Sequence, residues 1–280
     1  MKIHIKTNKT KAFVIVVIAF ILQNGFSGCS NKIQNVPPAT QYGSINFHFH
    51  TFAGNQEDTD STQVYVNQDG INMRLYFSNI FISNIRLITA SGDTISPLKD
   101  TVVLKHFDEE TYPLGNVPAG NYKTVKFDVG LPATLNHTNP SMYASPEPYS
   151  DMNAFWYGNK NLMWSGNTSN GYIFTNIKGY IDTSASGKGI PAQPFSYQIG
   201  GDANRVTILM PVQAFTIAAN TPYTVHMTID FGYLLHGLNL KTENTCNFVS
   251  NPALASKIAK NITVYPAFGS SAPAMFKYEE

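Results

Sequence analysis

Cysteine is nearly missing from this chain: its 280 residues hold two, Cys29 and Cys246. That excludes a disulfide framework and any paired-cysteine metal spacing. Charge is scarce as well, at 13% of residues, and Lys and Arg nowhere cluster as a nucleic-acid footprint requires. No nucleic-acid partner is therefore expected. There is no G-x-S-x-G, no P-loop, no G-x-G-x-x-G and no H-E-x-x-H, and with them go the familiar signatures of hydrolysis, nucleotide binding and zinc proteolysis. No enzymatic activity is expected. The most informative absence is local: no Asp or Glu precedes Cys29.

That acid-free start carries Lys2, Lys6, Lys9 and Lys11, then an apolar run from Ala12 to Leu22, then Phe26-Ser27-Gly28-Cys29. The run falls short of the roughly 20 apolar residues a bilayer span needs. A positive start, a short apolar middle and small residues before a cut are the anatomy of a cleaved signal. The Ser-Gly-Cys ending looks like a lipobox, in which the cysteine is acylated and becomes the mature N-terminus, although Phe26 stands where Leu is most usual. The expectation is a signal peptide over 1–28 and a lipid anchor at Cys29. The mature protein is then a cell-envelope lipoprotein of the outer membrane, on its periplasmic or its surface face. The alternative is an ordinary signal peptide or an N-terminal membrane anchor with Cys29 incidental. Four of the 19 basic residues precede Cys29 and all 18 acidic ones follow it, so the formal net charge after Cys29 is −3. With Cys29 acylated, Cys246 is the remaining thiol and reads as a small, half-buried apolar residue.

What is abundant points to β structure: 15 Tyr and 18 Phe with many Val, Ile and Thr, and 20 Gly with 16 Pro for turns. Residues 29–43 read as a polar tether stiffened by Pro37-Pro38. Order is expected from Ser44. In SINFHFHTF, Ile45, Phe47 and Phe49 alternate with Asn46, His48 and His50, a period of two. Met73 to Thr89 is apolar enough for one or two buried strands, broken near Ser78-Asn79. Thr101–Phe107 follows as a strand. Val117-Pro118-Ala119-Gly120 is a turn signal launching NYKTVKFDVG. Strands are expected again at 172–181, 194–199, 205–213 and 222–231, and Asn251-Pro252 reads as the start of a short helix to about Lys260. Between them, residues 131–170 lack periodicity but are rich in aromatics. The fold expected for 44–280 is all-β: one antiparallel β-sandwich, immunoglobulin-like or jelly-roll-like, with a long decorated loop and a short C-terminal helix.

Chemistry concentrates in three places. His48 and His50, two apart on one strand face, can reach a single metal ion; a solvated outer face is the bland alternative for the same spacing. Asn136-His137 ends a strong strand, where a histidine is placed either to bind or to bond within a turn. Both tryptophans, Trp156 and Trp164, fall in the aromatic loop with Tyr149, Phe155, Tyr157 and Met163. They serve there as a cap on the sandwich, as a shield for a metal or as a stacking surface for sugars.

These residues, in their order, resemble the MbnP-like copper-binding domain, in the form found in Bacteroidetes-type lipoproteins. The resemblance runs from about residue 44 to 270. It rests on Phe49-His50, Leu75-Tyr76-Phe77-Ser78-Asn79-Ile80, Val117 to Tyr122, Phe127 to Pro132 and Leu135-Asn136-His137. It continues through Leu162-Met163-Trp164-Ser165-Gly166, Gly171-Tyr172-Ile173-Phe174, Lys178-Gly179 and Phe195 to Gly201. The resemblance implies a β-sandwich holding one copper ion through histidine, beside a tryptophan that some members oxidise. Carried over, His50 and His137 match the family's histidines and Trp164 the modified tryptophan, which implies a redox partner acting on it. Two positions depart: Gln198 stands where the family has a histidine, and Gly166 where it has a second tryptophan, whose space Trp156 could take. His48 and Met163 are the candidate supplementary ligands, Gln198 is a weak substitute, and His226 or His236 would have to come from the far end of the chain. The expected function is copper uptake, storage or delivery. The rival is a surface binding module without metal, its Trp/Tyr-rich loop holding a glycan or a protein.

Overall fold

The period-two pattern around His48 sets the first strand. Ile45, Phe47 and Phe49 are fully buried while Asn46, His48 and His50 lie on the half-exposed face. In the computed structural model residues 39–54, 56–58, 60–97, 102–105, 111–140, 163–263 and 275–279 are described, and Thr40–Glu280 forms one unit. The expected signal peptide, Cys29, most of the tether and the aromatic stretch holding Trp156 lie outside the described residues.

The strands are β1 Tyr42–Phe52, β2 Tyr65–Val66, β3 Asn72–Thr89, β4 Thr94–Ile95, β5 Val103–Lys105, β6 Thr111–Pro118 and β7 Gly120–Val129. They continue as β8 Ile173–Ile181, β9 Gln193–Gly200, β10 Val206–Leu209, β11 Phe215–Ile217, β12 Pro222–Asp230, β13 Thr245–Asn247 and β14 Phe276–Tyr278. Helix α1 is the single turn Ala133–Asn136, and α2 is Pro252–Lys260, with the expected Pro at its first turn.

Two sheets face each other. The smaller has the order β14-β12-β1-β6; the larger runs β10-β7-β3-β8-β9-β13, with β11 on β7 and the short β2, β4 and β5 on β3. The β-sandwich with one short C-terminal helix is as the sequence led one to expect. Most pairings are antiparallel, but β1 with β12 and β9 with β13 are parallel. A parallel pair needs a long crossover, and between β1 and β12 the chain builds β6 and every strand of the larger sheet except β13. Aromatic rings tie the layers together: Phe127 of β7 meets Phe47 of β1 at 6.1 Å and Phe276 of β14 at 5.0 Å, both edge-on.

The break expected at Ser78-Asn79 is not there; β3 runs unbroken for 18 residues. Its irregularities fall on either side, between Leu75 and Phe77 and between Ser83 and Arg86, where Asn84 takes a positive φ of 50°. Ser78 and Asn79 are buried mid-sheet. Asn79 belongs to a cross-strand row of amides, Asn79, Asn176, Gln198 and Asn247 in register, so polarity there marks an interior row. The strand expected over 205–213 stops at Leu209, two residues before Pro211, which has no N–H to extend a ladder.

Candidate metal centre

Because β1 buries its odd-numbered side chains, His48 and His50 share the outer face of the smaller sheet. Parallel register with β12 sets His226 beside His48 and Thr228 beside His50. Antiparallel register with β6 sets Thr111 on the other side of His48. Beyond β14, Glu279 donates its backbone N–H to the His226 carbonyl at 3.3 Å.

These elements bring the ring nitrogens of His48 and His50 together: their Nε2 atoms stand 2.7 Å apart. The outer nitrogens are each held. His48 Nδ1 faces Thr111 Oγ1 at 2.7 Å; His50 Nδ1 faces Glu279 Oε1 at 2.9 Å and Glu57 Oε1 at 3.4 Å. The two carboxylates stand within ion-pair reach of His50 Nδ1, and the two Nε2 atoms share one hydrogen bond, donated by whichever ring carries its proton there. His226 stacks beside His48, ring centroids 5.0 Å apart, with its Nδ1 3.5 Å from Glu279 Oε2. Open cavities of about 430 Å³ and 370 Å³ flank Glu279, one reaching His50 and the other His226. Among the described residues, no three His, Cys, Asp or Glu side chains are already spaced to hold a metal ion; the fold supplies a converging pair with a third imidazole beside it.

His137 belongs to a different group. Its Nδ1 donates to the Thr168 carbonyl at 2.6 Å and its Nε2 to Asp202 Oδ2 at 3.0 Å. With both nitrogens facing acceptors the protonated ring is favoured: the hydrogen bond to Asp202, then that to the Thr168 carbonyl, raises its pKa above the ordinary 6.5. Burial works to raise the Asp202 carboxyl, but the bonds from His137 and Asn136 outweigh it and hold it below the ordinary carboxylate range. Neighbouring Asn136, fully buried, donates to Asp202 and accepts the Tyr172 N–H at 2.7 Å. The group locks the end of β7 to the 163–172 segment. His50 and His137 were expected around one ion; both His137 nitrogens face Thr168 and Asp202, while His50 faces His48, Glu57 and Glu279.

The other candidates divide similarly. Trp164 packs on Tyr172 with centroids 4.7 Å apart, on the His137 side. Met163 is fully buried in the core. Gln198 accepts the Asn247 side-chain N–H at 2.8 Å within the amide row. Trp156 lies outside the described residues. Missed in the sequence were Thr111, Glu57 and Glu279, while His226 was named without a place. One local signal marked it: His226 alternates with buried Val225 and Met227 as His48 does with Phe47 and Phe49.

Comparison with known proteins agrees with the motifs read from the sequence. The MbnP family profile matches residues 42–248, from the first residue of β1 to the one after β13. The structure of MbnP from Methylosinus trichosporium superposes with a TM-score of 0.53 at 14% identity, over 86% of this chain and 100% of that one, which establishes a shared fold. No curated protein matches the chain. On the extent of the profile match, the chain belongs to the MbnP family.

Proposed function

We propose that this protein is a cell-envelope lipoprotein whose MbnP domain binds copper at His48 and His50, for uptake, storage or delivery and not for catalysis. One observation carries the reading: two Nε2 atoms converge at 2.7 Å while Thr111 and Glu279 hold the opposite Nδ1 atoms. Histidines that ligate metals characteristically have their second ring nitrogen fixed by such a partner. Imidazole suits copper. With metal–nitrogen bonds of roughly 2.0–2.1 Å, the two nitrogens would separate to about 3.3 Å around a tetrahedral ion, a modest opening of the rings. With copper at Nε2, His48 would carry its proton on Nδ1 and donate it to Thr111, whose hydroxyl serves as acceptor. Trp164, half-buried on Tyr172, keeps part of its indole accessible, as an oxidising redox partner would require.

Metal analysis of the mature chain after exposure to copper and gel filtration tests this. Bound copper that is lost in His48→Ala and in His50→Ala supports it. A chain that takes up no copper but retains a glycan or protein partner supports the metal-free binding module instead.

A further inference from the structure

The outer face of the larger sheet carries side chains that neither the core nor the copper reading uses. Strand β8 turns Lys178 and Tyr180 to that face, half-exposed on either side of buried Gly179. Opposite them β3 has a bulge: Leu75 pairs with Gly179 and Phe77 with Lys178, so Tyr76 is the extra residue. In a regular strand Tyr76 and Phe77 would point to opposite faces; a bulge re-aims side chains. Both rings therefore join those of β8. Tyr76 meets Tyr180 at 5.6 Å between centroids, and Lys178 Nζ stands over the Phe77 ring at 5.2 Å. Arg74, in register with Tyr180, sets its guanidinium over that ring at 4.6 Å.

The two cations thus meet ring faces and not carboxylates, and Arg74 Nε has no hydrogen-bond partner. The acids closest along the chain are committed elsewhere. Asp182, just beyond β8, is buried and accepts the N–H groups of Ser184 and Gly189; Asp60 accepts the N–H and the hydroxyl of Thr62. Apolar side chains border the same patch. Val66, the partner of Asn72 on β3, is 49% exposed and Val64 45%, with Tyr65 buried between them; Tyr76 itself is 44% exposed. The Asn72 side chain donates to the Gly189 carbonyl at 2.9 Å, and the residues either side of Gly189 are exposed Lys188 and Ile190, the latter by 86%.

We propose that this face is a membrane-contact surface, seated on the phosphate headgroups of an anionic bilayer through Arg74 and Lys178, with Tyr76, Val64, Val66 and Ile190 entering the headgroup boundary. Cations with aromatic and aliphatic neighbours on one exposed face are the combination that binds at a lipid interface. Arg and Lys lay their stems on apolar surface and keep their charge among the phosphates, and Tyr spans the same boundary with its ring and hydroxyl. An acidic polysaccharide would meet the cations but leave the aliphatic side chains in water. The contact needs neither acylation at Cys29 nor copper.

The test takes the whole mature chain with Cys29→Ala, so that no acyl chain contributes. It measures co-sedimentation with vesicles of phosphatidylcholine, alone or mixed equally with phosphatidylglycerol. The chain should bind the mixed vesicles in preference and lose binding as salt rises. Arg74→Gln and Lys178→Gln should each lower binding about fivefold, the usual share of one Lys or Arg near an anionic surface. Ile190→Ser should lower it too, while Lys260→Gln, the same loss of charge at an exposed position of α2, should leave it unchanged; circular dichroism checks that each variant is folded. Equal binding to both kinds of vesicle, or equal losses in Lys260→Gln and the two patch variants, overturns the proposal. Retention on immobilised polygalacturonate without binding to mixed vesicles overturns it in favour of an acidic glycan.

Discussion

The rings of His48 and His137 meet opposite chemical surroundings, and that decides what each can do. His48 turns Nε2 toward another imidazole, an atom that a metal can replace as partner. His137 gives both nitrogens to oxygen acceptors, so binding a metal through either would cost a hydrogen bond and a proton, with the other nitrogen keeping its own. His137→Ala should therefore leave copper stoichiometry unchanged while lowering stability, a combination that metal analysis and thermal unfolding together can check. Linkage gives a second expectation. The folded pKa of His137 lies above 6.5, so its stabilising contribution is complete below that unfolded value and is lost as pH rises through the folded one. The thermal midpoint should fall across that window in the wild type, more steeply than in His137→Gln. A wild-type curve parallel to that of the variant would refute the ion-paired assignment.

Among the elements, the tight passage beside Asn136 offers a sharp test. Gly171 has a φ of 74°, and a Cβ there would stand 2.3 Å from Asn136 Oδ1, the atom that accepts the Tyr172 N–H. Gly171→Ala should cost about 2–4 kcal/mol from backbone strain and the displaced amide, measured by chemical denaturation; a loss under about 1 kcal/mol would show that the segment yields freely. At β14, Phe276→Ala should cost about 3–5 kcal/mol for the lost ring. By loosening Glu279 it should also weaken copper binding, whereas Phe195→Ala, in the other sheet, should destabilise without that second effect. The contrast between elements also explains what was legible beforehand. β1 announces itself by alternation along its whole length, β7, β9 and β12 by alternation over part of theirs, and β8 by a long, mostly apolar stretch of nine residues. Strands of two or three residues, such as β2, β13 and β14, are too short to show a period. The pairing of β1 with β12 was hidden for another reason. Alternation says which face a residue takes but not which strand will lie alongside, so His48 and His50 were visible as a pair while His226 and Glu279 were not. Gln198 was weighed as a ligand because of its position in the family motif; its register with Asn176 and Asn247 is a property of the assembled sheet.

At the scale of the whole molecule, the proposed acylation of Cys29 would tether a sandwich of the MbnP family to a membrane. Cys29→Ala should abolish lipid labelling and release the protein from the membrane fraction; labelling that persists would remove the lipoprotein reading and leave the domain untouched. Circular dichroism should be dominated by β signal in wild type and variants alike, which separates loss of copper from loss of fold. The central claim is that the outer face of the smaller sheet holds one copper ion through His48 and His50. The direct measurement is copper per chain in the purified mature protein, wild type beside the His48→Ala/His50→Ala double variant, both confirmed as folded. The account predicts one copper in the wild type and none in the double variant; equal copper in the two, or none in the wild type, would contradict it.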